Sequence, residues 1–594
     1  YNSTTSSRNT AIGYQTLYNL NGAGSDNTAI GYASANALTV AERNVFVGGF
    51  SGANVETNSY NTALGYSAFR YGNGDQNTSI GYFSMGTSTN VSGQLNVAVG
   101  IRSLEDLTTG VNNTALGADA LAGLTTGSSN IGIGYKSLLG LTVGQANICI
   151  GRETGVGGDF GESVLIGHYA GSSNSYGSIV AVGTQALQNN NGVQNTAVGH
   201  RALTTNSGGT KNTALGYRTL DTNSGGDANV AIGNEALRNL NADNNVAIGD
   251  RAGLNITSGS RNIAIGYLAL SGGTGSGCMA IGFNALSSDG TFEESIAIGD
   301  EALQTQQSGR NHAFGFHALQ DLTTGNYNTA LGGESAENLT TGSVNTALGA
   351  FALRAATTAG GNTAVGYQAL LTTNGTGNVG MGQQAGFSST GGFNVIIGHE
   401  CGFGLTSGND NVIIGDRAGR LLGGGNDNVF IGTQAGYNRT GGSENTFVGE
   451  KANGIGVGTG NNNTGLGRYA GYALTGGAEN TMIGHQCSIN LTTGSNNTLV
   501  GKDSGGALVG GSSNTFIGHD AGNLNVSGFE NTSLGKNALK GGATGSGGIA
   551  IGISAGNFTS GNGNIAMGYS ANGSGVVTGS RNISIGDAAA FNLT

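Results

Sequence analysis

The 594-residue chain contains no proline and no tryptophan, and only 10% of its residues are charged. Proline lacks the backbone N–H that a β ladder requires, so its complete absence favours a structure in which every backbone donor is used. A disordered chain would normally carry more charge and more proline, whereas 37% of the residues here are hydrophobic. The composition therefore predicts an ordered chain made of β-structure.

Charge and hydropathy argue against two classes of partner. The formal net charge is −11, so the chain lacks the basic surface that binds nucleic acid phosphates. No apolar run approaches the roughly 18 residues needed to cross a bilayer as a helix, and we expect no membrane span. The sequence starts at Tyr1 without a methionine or a signal peptide, which suggests a processed or partial chain.

A repeat of about 17 residues covers the whole chain. Thirty-five glycines, from Gly13 to Gly586, close strings such as NTAIG at a nearly constant spacing, and a full unit reads NTALGADALAGLTTGSS at residues 113–129. A short fixed period of this kind is typical of solenoids, in which each repeat forms one coil. We call each of these residues the closing glycine of its coil and number the other positions of the coil from it.

Position −4 predicts a ladder of stacked amides. It holds asparagine in 30 of the 35 coils, as at Asn9, Asn27, Asn113, Asn345 and Asn497. Stacked asparagine side chains can hydrogen-bond to one another and to the backbone of a turn, so we expect this column to be buried or locked in a turn. The five exceptions are Ser163, Ile179, Cys278, Ser295 and Gly548.

The other columns predict two short strands and two corners in each coil. Position −1 is apolar in every coil and position −3 is mostly Thr, Val or Ile, so both lie on one face of a strand. Position +3 is always Ala, Ser, Thr or Cys, which predicts very close packing at residues such as Ala120. An LTTG-like segment then turns the chain, with glycine supplying the positive φ.

The predicted fold is an all-β parallel β-solenoid, or β-roll, of about 35 coils. It would form one continuous array over residues 1–594 without recognisable caps, about 170 Å long at the spacing of neighbouring strands. An uncapped terminal coil leaves an unpaired ladder that recruits other chains. We therefore expect an excerpt of a longer protein or a protomer that stacks end to end into a filament.

The strings NTAIGYQTL, NTAVGYQALLTTNGTGN and NTALGADALAGLTTGSSN resemble the repeats of bacterial and phage tail-fibre-domain proteins. They are also similar to the SVAIG head repeats of trimeric autotransporter adhesins. The resemblance covers the whole chain. It implies a left-handed parallel β-roll shared by three chains, and thus an extended homotrimeric fibre displayed on a cell or virion surface.

The four cysteines are predicted to be buried thiols without disulfides within the chain. Cys401 and Cys487 occupy position +3, where they replace Ala. They lie five coils apart, or roughly 24 Å, whereas a disulfide needs Cα atoms within about 7 Å. Cys149 and Cys278 are farther apart still, and no metal-type cysteine spacing occurs.

The chain shows no motif for catalysis or for cofactor binding. Five of the seven histidines directly follow a closing glycine and lie at least two coils apart, too far to share one metal ion. The nucleophile elbow, the phosphate loop, the HExxH string and the GGxGxD core of calcium solenoids are all absent. We expect no enzyme activity, no metal and no cofactor.

Two sets of residues are candidates for surface contacts. Tyr14, Tyr32, Tyr66 and Tyr82 share position +1 and form a candidate exposed aromatic stripe, which either grips sugar rings or stacks between coils. If the source organism glycosylates asparagine, sequons in the closing corners would be open to modification. These candidate glycosylation sites are Asn255, Asn338, Asn490 and Asn557.

Three classes of function are compatible with these features. The leading one is an extracellular, cell-surface or virion-surface fibre that acts as a rigid rod and adhesin, with other copies of itself and surface glycans as partners. An ice-binding solenoid is the second, because Thr follows the ladder asparagine in many coils, as at Thr10 and Thr28, although Val45 and His312 break the row. A polysaccharide-binding or polysaccharide-degrading tail spike is the third.

Overall fold

The computed structural model describes residues 7–21, 23–86, 90–541, 544–557, 560–573 and 578–590. These residues form parallel β-structure and no helix. The chain divides into two compact units, Tyr1–Glu294 and Ser295–Thr594. Each unit is a parallel β-solenoid whose equivalent residues recur about every 17 positions, which confirms the predicted fold class.

In its described part, the first unit contains 21 strands, and 17 of them have three residues and belong to a parallel sheet. The strands are β1 (Thr10–Ile12), β2 (Thr28–Ile30), β3 (Val45–Val47), β4 (Thr62–Leu64), β5 (Thr78–Ile80), β6 (Val97–Val99), β7 (Thr114–Leu116), β8 (Ile131–Ile133), β9 (Ile148–Ile150), β10 (Val164–Ile166), β11 (Val180–Val182), β12 (Asn189–Asn190), β13 (Thr196–Val198), β14 (Thr205–Asn206), β15 (Thr213–Leu215), β16 (Thr222–Asn223), β17 (Val230–Ile232), β18 (Val246–Ile248), β19 (Ile263–Ile265), β20 (Met279–Ile281) and β21 (Thr291–Phe292).

The described residues of the second unit contain 19 strands, of which 18 have three residues. They are β22 (Ile296–Ile298), β23 (Ser308–Gly309), β24 (His312–Phe314), β25 (Thr329–Leu331), β26 (Thr346–Leu348), β27 (Thr363–Val365), β28 (Val379–Met381), β29 (Val395–Ile397), β30 (Val412–Ile414), β31 (Val429–Ile431), β32 (Thr446–Val448), β33 (Thr464–Leu466), β34 (Thr481–Ile483), β35 (Thr498–Val500), β36 (Thr515–Ile517), β37 (Thr532–Leu534), β38 (Ile549–Ile551), β39 (Ile565–Met567) and β40 (Ile583–Ile585).

Equivalent residues of neighbouring coils pair in register. Between β6 and β7, Ala98 lies opposite Ala115 and Val99 opposite Leu116. The middle side chain of each strand points into the coil, and Ala98 and Ala115 are fully buried. The side chains on either side of it are half-buried or exposed. Because side chains alternate along a strand, positions −3 and −1 share the outer face and position −2 forms part of the core.

The closing glycine permits the coils to stack at this distance. Gly117 has a φ of +141°, which is open to glycine and strained for other residues. A Cβ on Gly117 would lie 2.5 Å from the carbonyl oxygen of Gly134, the closing glycine of the next coil. Any side chain at this position would therefore push two coils apart.

The second wall of most described coils is built of turns instead of an extended strand. In the coil closed by Gly332, Glu334 and Ala336 have φ values of 54° and 50°. The N–H of Glu334 donates to the carbonyl of Phe316 in the preceding coil, and the N–H of Ala336 donates to Ala352 in the following coil, both at 2.8 Å. Because alternate peptide groups bond to opposite neighbours, the wall stays hydrogen-bonded without extended backbone.

The core is filled by an exchange of volume between positions −2 and +4. Where position −2 is Ala, position +4 is commonly Leu, as with Ala115 and Leu121, and both side chains are fully buried. Where position −2 is large, position +4 is commonly glycine, as with Phe516 and Gly522. A Cβ on Gly522 would lie 2.4 Å from the Phe516 ring. Leucines at position +7 complete the interior.

Candidate functional site

The asparagines at position −4 form a buried ladder that bonds in both directions. Asn345 Nδ2 donates to Asn328 Oδ1 at 3.0 Å and to the carbonyl of Ala359 at 2.8 Å. Asn345 Oδ1 accepts hydrogen bonds from the backbone N–H and the Nδ2 of Asn362, at 3.0 and 3.2 Å. The Asn345 side chain therefore forms hydrogen bonds both to the ladder residues that precede the strands of the two neighbouring coils and to the backbone of a corner.

The other predicted members of the ladder occupy equivalent positions. Asn27, Asn113 and Asn497 each donate from Nδ2 to the Oδ1 of the asparagine one coil earlier, at 3.1, 3.0 and 2.9 Å. Asn9 is half-buried and accepts both hydrogen bonds from Asn27. All five predicted residues thus take part in amide-to-amide bonds.

The length of the ladder differs between the two units. In the second unit it runs without a break from Asn311 to Asn531. In the first unit it is interrupted at Ser163, Ile179 and Cys278. Ser163 still donates its backbone N–H to Asn147 Oδ1 at 3.2 Å, but the buried side chain of Ile179 offers no amide to continue the row.

A second amide ladder, which the sequence analysis missed, stands beside this interruption. Asn190, Asn206 and Asn223 donate from Nδ2 to the Oδ1 of Asn174, Asn190 and Asn206 respectively, at 3.0, 2.6 and 2.9 Å. All four are fully buried at position +7, where leucine is common. The coils of Asn190, Asn206 and Asn223 contain β12, β14 and β16, which pair in parallel. Their spacing of 16 to 17 residues was the available signal.

Position +3 is buried in every described coil except the last, where Ala589 is half-buried, and its side chain often bonds to the next coil. Ala120 has no exposed surface. Ser335 Oγ donates to the carbonyl of Ala347 at 3.0 Å, and the Sγ of Cys401 donates to Ile413 at 3.1 Å. A small side chain fits the space between the walls, and a hydroxyl or thiol there satisfies a backbone carbonyl.

The buried cysteines have the character of structural thiols. Cys149, Cys401 and Cys487 are free and buried. Burial raises the pKa of the Cys401 and Cys487 thiols to about 12 and also raises the pKa of Cys149. The reactive thiolate is therefore scarce at neutral pH. Cys278 is also buried, with its Sγ 3.6 Å from the carbonyl oxygen of Phe292.

The outer strand face, which consists of positions −3 and −1 of the three-residue strands, is an extended apolar surface in each unit. Position −1 is aliphatic or aromatic, and Leu116 and Leu331 expose 47% and 52% of their surface. Position −3 adds Thr, Val or Ile in all of these strands except two, which begin with Met279 and His312. Soluble monomers rarely expose contiguous apolar patches larger than a few hundred Å², and here the row recurs in each three-residue strand of the described residues.

The four tyrosines of the predicted aromatic stripe are exposed and stack along the first unit. The ring centroids of Tyr14 and Tyr32 are 5.5 Å apart with nearly parallel planes, and those of Tyr66 and Tyr82 are 5.7 Å apart. Phe50 joins the two pairs through edge contacts with Tyr32 and Tyr66. Because the ring faces meet one another, the stripe presents ring edges to solvent and extends the apolar outer surface.

Among the described residues, one group could supply three ligands to a metal ion: Asp503, His519 and Asp520, whose ligand atoms lie within 4.8 Å of one another. Asp520 already accepts hydrogen bonds from Asn523 Nδ2 at 2.7 Å and Lys540 Nζ at 3.1 Å. Burial raises the pKa of Asp520, but these two bonds outweigh it and the net shift is downward. The group is thus an ion-paired surface patch with a lysine on its carboxylate.

The predicted glycosylation sites lie in the corners. Asn255 and Asn490 are exposed, whereas Asn338 and Asn557 are half-buried. Asn490 Nδ2 donates to the carbonyl of Gly506 in the next coil at 2.8 Å. A glycan on Asn490 would replace one of its two N–H donors.

Neither a protein-family profile nor a curated protein sequence matches this chain. Within the described ranges, no helix is long and apolar enough to cross a membrane.

Proposed function

We propose that this chain is a structural fibre protein that serves as a rigid, surface-displayed extracellular rod. The observation that supports this most strongly is the asparagine ladder, which joins successive coils from Asn311 to Asn531 through buried side-chain amides. In a linear stack, each added coil contributes its own stability and its contact with the neighbour. The resemblance to tail-fibre-domain proteins and to adhesin heads supports the same class.

The outer strand face supports self-association as the way this fibre is completed. A partner that contacts an apolar row over many coils needs apolar side chains at the same spacing as the coils of this chain. Another copy of the chain has that spacing. If each of the 18 three-residue strands of the second unit buried on the order of 100 Å², the interface would reach about 1,800 Å² per chain, above the ~800 Å² of a standard interface. The resemblance implies a homotrimer, and a homotrimer with these faces turned inward would cover the row on every chain.

Charge on the outer strand face tests this assembly. Leu331, Leu348 and Val365 occupy position −1 in three neighbouring coils. Replacing all three by Lys should lower the mass measured by analytical ultracentrifugation, because buried ammonium groups without partners are costly. A monomeric wild-type chain, or an unchanged mass in the triple variant, would contradict the proposed assembly.

The matched control places the same charges on a corner instead of the strand face. Tyr327, Val344 and Phe393 sit at position −5 and are 64%, 61% and 64% exposed. Lys at these three positions should leave the mass at the wild-type value. Loss of assembly in both triple variants would indicate a general effect of charge, and the outer strand face would no longer be the explanation.

Surface glycans are the partner we propose for an adhesive role, and the exposed tyrosines of the first unit are the residues concerned. Since the rings stack on one another, contact with a sugar would use ring edges and phenol hydroxyl groups. Binding to a glycan array that falls when Tyr32 and Tyr66 are both changed to Phe would support this role. Binding that is absent, or indifferent to the two changes, would refute it.

Ice binding is the alternative that one observation favours. Strands β32 to β37 carry Thr at the outward position −3 in six consecutive coils. A thermal-hysteresis assay decides it, because an outer face covered by other copies should produce none. A polysaccharide-degrading tail spike is tested in parallel by incubation with viscous polysaccharides, whose viscosity an inert fibre leaves unchanged.

A further inference from the structure

A guanidinium group is buried in the hydrophobic core of the second unit. Arg439 has no exposed surface and is the largest fully buried side chain among the described residues. It occupies position +7, where the preceding coil carries Leu422, the next coil carries Gly456, and the two coils after that carry Leu474 and Leu491. The three leucines are fully buried. A leucine at this place would fill the core without the cost of burying a charge.

The acceptors of Arg439 belong to one particular coil. Its Nη1 donates to Asn453 Oδ1 at 3.2 Å, and its Nη2 donates to the carbonyl of Gly460. Within the described part of the chain, Nε has no hydrogen-bond partner and no carboxylate forms an ion pair with the group. Burial lowers the pKa of Arg439 to about 10. The side chain is therefore held by neutral oxygen atoms and by the Phe447 ring, 5.6 Å away.

The coil that receives Arg439 departs from the repeat in two ways. Asn453 occupies position +4, where the volume pattern opposite Phe447 calls for glycine, as at Gly436 and Gly522. The interval from Gly449 to Gly467 is 18 residues, one more than the intervals on either side. Both departures occur where Arg439 finds its acceptors.

Asn453 carries the polar contact on into a third coil. Its Nδ2 donates to the carbonyls of Gly471 and Leu474, at 3.2 and 2.8 Å. A chain of buried polar bonds thus runs from Arg439 through Asn453 to the coil closed by Gly467. Each link depends on the order in which these three coils stack.

We propose that Arg439 and Asn453 form a register key that makes the coils closed by Gly432, Gly449 and Gly467 stack in one order only. The coils of this chain are so alike that one of them could be looped out, or contributed by another copy, with the strands and the asparagine ladder still paired. With the coil of Gly449 left out, Arg439 would face Leu474 and lose Asn453 as its acceptor. A single buried polar pair makes that arrangement unfavourable, as a lone buried asparagine does in coiled coils.

The experiment replaces the buried polar pair by the residues that are common at positions +7 and +4, and it measures whether the coils still stack in a single order. In the full chain, Arg439→Leu combined with Asn453→Gly places a leucine next to Leu422 at position +7 and restores the pairing of a large residue with glycine. We expect this variant to resist denaturant better than wild type, yet to refold into two populations in hydrogen–deuterium exchange of residues 433–474, with at least a fivefold larger mis-stacked fraction. A single population at the wild-type yield would overturn the proposal.

Two further variants keep the result interpretable. Leu422→Met changes the same column one coil away and leaves the polar pair intact, so it should refold as wild type does; a mis-stacked fraction equal to that of the double variant would overturn the proposal. If the double variant does not accumulate in folded form, Asn453→Gly alone replaces it. Asn453→Gly removes the side-chain acceptor of the buried Arg439 guanidinium, so the midpoint of denaturation should fall. A midpoint equal to that of wild type would refute the proposed register key.

Discussion

The exchange of core volume between positions −2 and +4 predicts that two damaging substitutions rescue each other. Phe516→Ala removes a fully buried ring, and Gly522→Leu adds a side chain whose Cβ would lie 2.4 Å from that ring. Together they recreate the arrangement of the next coil, which has Ser533 and Leu539 at the same two positions. Leu539 has a φ of 53° and Gly522 one of 59°, so leucine adopts the backbone conformation that the swap requires.

The magnitudes follow from the structure. Removing a buried Phe side chain costs about 3–5 kcal/mol through lost burial and the cavity that remains. Overpacking by Gly522→Leu costs about 1–3 kcal/mol. Independent effects would add to about 4–8 kcal/mol, whereas we expect the double variant to lie within about 2 kcal/mol of wild type because the leucine fills the space of the ring.

Local hydrogen exchange is the appropriate assay, because long repeat arrays do not unfold in a single two-state step. Peptides that cover residues 510–541 report the opening free energy of the altered coil, and the midpoint of urea denaturation gives a second measure. The control combines Gly522→Leu with Phe430→Ala, a ring in a distant coil, and its two effects should add. Additivity in the Phe516 pair as well would show that the two positions do not share one space.

Four further predictions concern single columns. Asn345→Ala leaves buried groups of Asn362 and of other neighbours unpaired, at about 1–3 kcal/mol each, and an unchanged melting temperature would contradict the ladder. Ala120→Leu overpacks position +3 by about 1–3 kcal/mol, so unaltered stability would show that space exists there. Arg417 lowers the pKa of Glu400 against the effect of burial, with help from a second arginine. The wild-type chain should therefore have a higher free energy of unfolding than Glu400→Gln near pH 7, and this difference should disappear as the pH falls below about 4. A difference in unfolding free energy that does not depend on pH would refute this prediction. Cys401 should resist a thiol reagent until the chain is unfolded, and rapid labelling of the native protein would contradict its burial.

Those features that recur in almost every coil could be predicted from the sequence. A stack repeats each contact, so a residue that the contact requires must reappear in the same column, as Asn345 and the closing glycines do. The second wall could not be predicted in the same way. Glu334 and Ala336 adopt positive φ without being glycine, and local sequence gives no sign of this because hydrogen bonds to the neighbouring coils hold the conformation in place.

Features confined to a few coils were missed for the opposite reason. The ladder from Asn174 to Asn223 spans four coils, and in a comparison of all 35 coils it reads as scattered substitutions of leucine. The volume exchange was visible in the printed sequence as alternation between Ala with Leu and Phe with Gly. No single column reveals this exchange, because packing couples two columns within one coil.

The sheet of this solenoid is apolar on both of its faces, the inner face and the outer strand face, because the interior of the coil is thin. The interior is so thin that Ala, Gly and single Leu or Phe residues fill it, which leaves the larger part of the aliphatic and aromatic side chains outside. A thin coil therefore gains limited stability from its own core and keeps an apolar row on its surface. Burial of that row against other copies would supply the missing part of the core, so the stability of this solenoid and its assembly should rise and fall together.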